Sequence, residues 1–167
     1  MSQPQLSHLM LFRSFLTIGS GYMLSIISLY MITALLGYTC FPEFVEFLEL
    51  DQPSQETVMA NNPAAAVPRL MFVLILILQT IVCLAIGALV IRTAPFAQFP
   101  HAVFLAMLMF ISFLQVAIAD PPAKKSMTIA YMIAYPLSVL LGAKWTFARS
   151  LEREPELLSG SDSVDAG

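Results

Sequence analysis

Leu70–Ile91 reads LMFVLILILQTIVCLAIGALVI, an apolar run with no Asp, Glu, Lys or Arg anywhere in it. An α-helix rises 1.5 Å per residue, so about 20 residues cross the roughly 30 Å hydrocarbon core of a bilayer. The run is long enough, and a single segment in lipid satisfies its own peptide groups only as a helix. Working outward, Ser14–Tyr38, Ala102–Ala119 and Met127–Phe147 are further runs of spanning length, and the four together hold one charged residue, Lys144. The predicted fold class is an all-α membrane protein: four transmembrane helices in an up-down bundle.

Composition agrees. The chain of 167 residues is 58% hydrophobic and 11% charged, against about 25% charged in a soluble domain, and its mean hydropathy is +0.79. No segment outside the runs is long enough to bury a second core. Residues 1–153 therefore read as one transmembrane domain with spans at about 14–38, 70–91, 102–119 and 127–147. Residues 154–167, acidic, Ser-rich and free of aromatics, read as a disordered tail. Arg13 precedes the first run as in a secretory signal, but the run far exceeds the roughly 7–15 apolar residues of a signal core. Leu36-Gly37-Tyr38-Thr39-Cys40 does not suit a lipoprotein cleavage site, because Tyr38 and Thr39 stand where small residues belong.

Orientation follows from Lys and Arg. With both termini cytoplasmic, the inner side holds Arg13, Arg92, Lys144, Arg149 and Arg153, and the outer side Arg69, Lys124 and Lys125. That bias predicts a multi-pass protein of a cell or inner membrane with both ends inside. Lys144 lies near the end of its span beside Trp145, where it can snorkel to the interface.

The outer loop, residues 39–68, divides in two. Pro42 suits a helix start, and Phe41, Phe44, Val45 and Leu48 recur at helical spacing while Glu43, Glu46 and Glu49 follow at steps of three. This predicts a short amphipathic helix at the membrane interface. Pro53-Ser54-Gln55-Glu56 reads as a cap and first turn, and Asn61-Asn62-Pro63 with Pro68 as breakers. Thr93-Ala94-Pro95 with Pro100, and Asp120-Pro121-Pro122, are short hinges that make the last three spans antiparallel neighbours.

Lipid tails are as apolar as leucine, so spans associate through small residues and polar groups. Ser126, Ala130, Ala134, Ser138 and Gly142 recur every four residues in the last span, Thr17, Gly21, Ser25 and Ser28 edge the first, and Gln79, Cys83 and Gly87 the second. The predicted helix-packing residues are Gly21, Ser25, Gly87, Ala130, Ala134, Ser138 and Gly142. Pro136 lacks a backbone donor and predicts a bend. Counted at the helical rise, Tyr30, Gln79, Ser112 and Tyr135 lie about 10–15 Å, and Thr33, Gln115 and Tyr131 about 6–8 Å, below the outer ends. Hydroxyls and amides in lipid need partners. A polar cluster of Tyr30, Gln79, Ser112, Gln115, Tyr131 and Tyr135, lining a shallow uncharged cleft, is the candidate ligand site.

Several chemistries find no material. Ion-coupled carriers keep ionisable groups inside the membrane, whereas no Asp or Glu falls within a span except Asp120 at an edge. His8 and His101 lie near the inner surface, too few for a buried haem or a Ser-His pair. Cys40 and Cys83 sit about 20 Å apart along the membrane normal, beyond disulfide reach. No zinc cluster, P-loop, HExxH or GxSxG occurs. No catalytic residue, metal or cofactor is expected. The expected partners are the lipid bilayer and a second copy or a larger membrane complex, with no nucleic acid. The expected role is a non-enzymatic assembly or scaffold subunit; the alternative is a carrier or permease component for a neutral or lipophilic solute.

Overall fold

A computed structural model describes residues 3–60, 66–94, 98–120 and 122–159. Six helices follow in order: α1 Gln3–Cys40, α2 Pro42–Glu49, α3 Gln52–Ala60, α4 Ala66–Thr93, α5 Gln98–Ala119 and α6 Pro122–Ser159. No strand occurs among the described residues. Four of the helices are long and apolar enough to cross a membrane, over His8–Cys40, Ala66–Thr93, Gln98–Ala119 and Lys124–Ser150. These mark a multi-pass membrane protein.

Each long helix overruns its apolar run, because helical hydrogen bonding continues where the side chains turn polar. Pro68 and Pro100 are accommodated near the starts of α4 and α5, where a missing N–H has no intrahelical acceptor to lose. α6 runs unbroken through Pro136 and carries helical backbone on to Ser159, while the rest of the acidic tail, 160–167, lies outside the described residues. The breakers at 61–63 and the Pro95 turn also lie outside them.

α6 packs most extensively on α4 and then on α5, while α1 sits against α4 and α5. The inner core joins Cys83, Ile86 and Val90 of α4, Leu105 and Met109 of α5, and Tyr135, Val139 and Ala143 of α6. Side chains on the outside stay apolar: Phe15, Met23, Ile27, Met31 and Leu35 of α1 and Phe104, Met107 and Ile111 of α5 are all exposed, as lipid-facing surfaces are.

A second buried cluster, shared between the short helices and the spanning ones, closes one end. Phe44 and Phe47 of α2 are buried with Met59 of α3 and with Met71 and Ile75 of α4, and Leu29, Ile32 and Leu36 of α1 pack against them. The apolar face of α2 is thus built on Phe44 and Phe47 and turns toward the bundle; Phe41 and Val45 are half-buried and Leu48 exposed, which corrects the face read from Phe41, Phe44, Val45 and Leu48. The reason is tertiary: the Phe44 ring meets Phe72 edge-on with centroids 5.5 Å apart, and Lys124 lies over the Phe47 ring at 5.6 Å. Gln55 then ties α3 to α2. Its buried amide nitrogen lies 3.1, 3.2 and 2.8 Å from the carbonyls of Phe47, Leu48 and Leu50 and shares its two N–H donors among them, serving acceptors that a helix end leaves free.

Candidate functional site

Gln79 is the polar centre of the bundle. It lies on the face of α4 shared with Cys83 and Ile75, and is 1% exposed. Its Nε2 donates to the Ser25 carbonyl at 2.8 Å and to Ser28 Oγ at 3.0 Å, and its Oε1 accepts from Ser28 Oγ at 3.1 Å. The Ser28 hydroxyl accepts a hydrogen bond from the amide and shares its own proton between Gln79 Oε1 and the Ser25 carbonyl. The serines also bond their own helix, Ser25 Oγ to the Tyr22 carbonyl and Ser28 Oγ to the Ser25 carbonyl, so no hydroxyl there is left bare in lipid.

A second polar link joins α1 to α5. Tyr22 Oη and Ser112 Oγ lie 2.7 Å apart, and Ser112 donates to the Leu108 carbonyl at 2.9 Å. On α6, Tyr131 and Tyr135 stack with centroids 5.3 Å apart and planes 9° from parallel. The Tyr131 hydroxyl donates to the Phe72 carbonyl at 2.8 Å. The Tyr135 ring is fully buried against the edge of Phe113. Its hydroxyl has no hydrogen-bond partner among the described residues.

Between these links a cleft of about 200 Å³ opens, with Tyr22, Ser25 and Tyr30 of α1, Gln79 of α4, Ser112 of α5 and Tyr135 of α6 on its walls. Four of the six residues assigned to the polar cluster, Tyr30, Gln79, Ser112 and Tyr135, therefore meet at one place. Tyr131 touches it only through its stack on Tyr135. Gln115 does not join, and Tyr30 is mostly exposed at the rim. An inward-facing network of all six is thus corrected, and the reason is helical phase. The inward stripe of α5 runs through Ala102, Leu105, Met109 and Phe113 and passes Gln115 by; that of α1 runs through Thr17, Gly21, Ser25 and Ser28 and passes Tyr30 by. Sequence reading missed Tyr22 as a site residue, although it stands one turn before Ser25 on the same edge.

The small residues divide by role. A Cβ built on Gly87 would overlap the Val139 carbonyl, and one on Gly142 would overlap the Leu84 carbonyl, so α4 and α6 meet backbone to backbone. A Cβ on Gly21 would come within 2.9 Å of Leu105 Cδ2 and 3.3 Å of Val90 Cγ2, contacts with side-chain ends only. Ser138 is buried and bonds the Ala134 carbonyl at 2.6 Å. Ala134 packs against the inner core, and Ala130 lies half-buried beside Phe72 and Leu76. Cys40 and Cys83 are free thiols, one exposed and one buried. No group of three His, Cys, Asp or Glu residues converges among the described residues.

Fold and site together define a polytopic helical membrane protein with an uncharged polar cleft. Compared with known proteins, the chain matches no family model, no curated protein and no solved structure.

Proposed function

We propose that the chain is a non-enzymatic assembly or scaffold subunit of a membrane complex, threaded up and down with both termini cytoplasmic and α2 at the outer interface. The order of helix contacts supports the threading: Gly21 lies by Val90 and Ser28 by Gln79, so α1 and α4 run oppositely. Meanwhile Phe72 meets Tyr131 and Gly87 meets Val139, so α4 and α6 run together.

The observation that carries the assembly reading is Gln115. Its side chain is exposed on an apolar span between exposed Ile111, Leu114 and Ile118, and it makes no hydrogen bond with the described residues. An amide facing lipid without a partner costs about 1–3 kcal/mol, and a helix from another subunit offering a polar side chain removes that cost. Purification in mild detergent followed by mass measurement tests it. The unmodified chain should emerge with a second copy or another membrane protein, and Gln115→Leu should release that partner while the bundle keeps its melting temperature. A chain that runs as a monomer before and after the substitution would sink the reading.

The cleft supports a second reading, a carrier component for a neutral or lipophilic solute. Gln79 supplies an amide, and Tyr22, Tyr30, Ser112 and the unpartnered Tyr135 carry hydroxyls, among apolar walls with no charged residue, the balance typical of small-molecule pockets. Uptake into liposomes holding this chain alone is the measurement. Flux that Gln79→Leu leaves intact would remove the cleft from the pathway.

A further inference from the structure

A larger cleft, about 410 Å³, opens at the other end of the α4–α6 pair, where α5 begins. Arg92 from the last turn of α4 and Arg149 from α6 line it together with Gln98 and Thr146. Its apolar lining is Ala88, Ile91 and Trp145. The Arg149 guanidinium lies over the Trp145 ring at 4.3 Å, which occupies its flat face and leaves the N–H donors at its edge directed elsewhere. Among residues 66–94, 98–120 and 124–150, none forms a hydrogen bond or ion pair with the side chains of Arg92, Gln98 or Thr146. Two cations, an amide and a hydroxyl thus line one cleft. The cleft sits where the apolar runs Leu70–Ile91 and Met127–Phe147 both end, the level at which Trp side chains favour the headgroup region.

We infer that this cleft binds the phosphate of an anionic phospholipid between Arg92 and Arg149, with the acyl chains descending along Ala88 and Ile91. Arginine is the residue that recognises phosphate through paired donors, and basic pockets between transmembrane helices suit anionic headgroups. The apolar wall and the position at the end of two spans favour a lipid over a soluble phosphate. The inference is independent of the assembly and carrier readings, which concern the opposite half of the bundle.

The full chain in nanodiscs decides it. Native mass spectrometry should find phosphatidylglycerol retained in preference to phosphatidylcholine from a mixed bilayer, and phosphatidylglycerol should raise the melting temperature where inorganic phosphate or glycerol phosphate in the buffer does not. Replacing Arg92 and Arg149 by Gln should lower phosphatidylglycerol retention about fivefold for each arginine, while Arg13→Gln, outside the cleft, should leave it unchanged. Equal retention of the two lipids by the unmodified chain, or undiminished retention in the double variant, overturns the inference. Equal stabilisation by inorganic phosphate assigns the cleft to a soluble anion and overturns it too. If the double variant fails to fold, Gln98→Leu with Thr146→Val keeps both cations and should still reduce retention, by a smaller factor; unchanged retention there counts against the site.

Discussion

The seam between α4 and α6 and the seam between α1 and its neighbours solve the same problem by different means. At the first, Gly87 and Gly142 each lie against a carbonyl of the opposite helix, and no side chain intervenes. At the second, Thr17, Gly21, Ser25 and Ser28 face α4 and α5, contact is made through the Gln79 amide and the Tyr22 hydroxyl, and a cleft remains. In lipid, helices gain nothing from hiding apolar surface from one another, so close dispersion contact and interhelical hydrogen bonds are what hold them. Glycine gives the close contact and excludes any ligand. Serine and glutamine give bonds at longer reach and leave room. The spanning window of α1 is correspondingly 11% buried against 39% for those of α4 and α6, which makes α1 the helix whose attachment depends most on a few polar contacts.

The sharpest way to break the comparison is at the glycines. Gly87→Val and Gly142→Val drive a branched side chain into backbone, which cannot yield as a flexible side chain does, so each should destabilise the bundle by on the order of 3 kcal/mol. Unfolding in mixed detergent micelles measures this. Gly19→Ala is the counterpart, because nothing lies within 4 Å of a Cβ built there; it should be neutral or stabilise by up to about 1 kcal/mol through helix propensity. A Gly87→Val protein as stable as the unmodified one would mean that α4 and α6 do not meet through backbone.

The polar seam should respond less. Gln79→Leu removes the bonds to the Ser25 carbonyl and Ser28 Oγ, yet both serine groups keep bonds within α1. Polar contacts within membranes average about 0.6 kcal/mol each, so a loss of about 1–2 kcal/mol is expected, smaller than at the glycines. Hydrogen exchange should rise first in α1 and leave α4 and α6 protected. Uniform deprotection of all the helices would show that the two seams are one cooperative unit.

How far this contrast can be read from residues alone depends on what each feature needs. Spanning length needs only composition, so the four long helices were legible from their uncharged runs, and the four-residue spacing of Ala134, Ser138 and Gly142 marked the face of α6 that reaches the core. Depth was legible too, since it follows from counting, and it drew Tyr30, Gln79, Ser112 and Tyr135 to one level. Azimuth was not. Whether a polar residue points inward depends on which stripe its neighbours bury, and for Gln115 and Tyr30 the stripes set by Leu105, Met109, Ser25 and Ser28 run past them. The capping of α2 by Gln55 was hidden for another reason: a glutamine that folds back onto carbonyls of the preceding helix leaves no periodic trace.

The smallest expected effect tests what the cleft is for. The Tyr135 ring is held by its stack on Tyr131 and by the edge of Phe113, so Tyr135→Phe keeps every ring contact and removes one hydroxyl. A buried hydroxyl without a partner opposes folding, so removing it should leave stability unchanged or raise it by up to about 1 kcal/mol. This sign is opposite to that at Gln79, although both residues line the same cleft, because one polar group is bonded and the other is not. A melting temperature that falls on Tyr135→Phe would require a hydrogen bond reaching Tyr135 Oη from outside the described residues. If solute flux also fell, that bond would belong to the solute, and the open seam would be a binding site rather than a loosely packed contact.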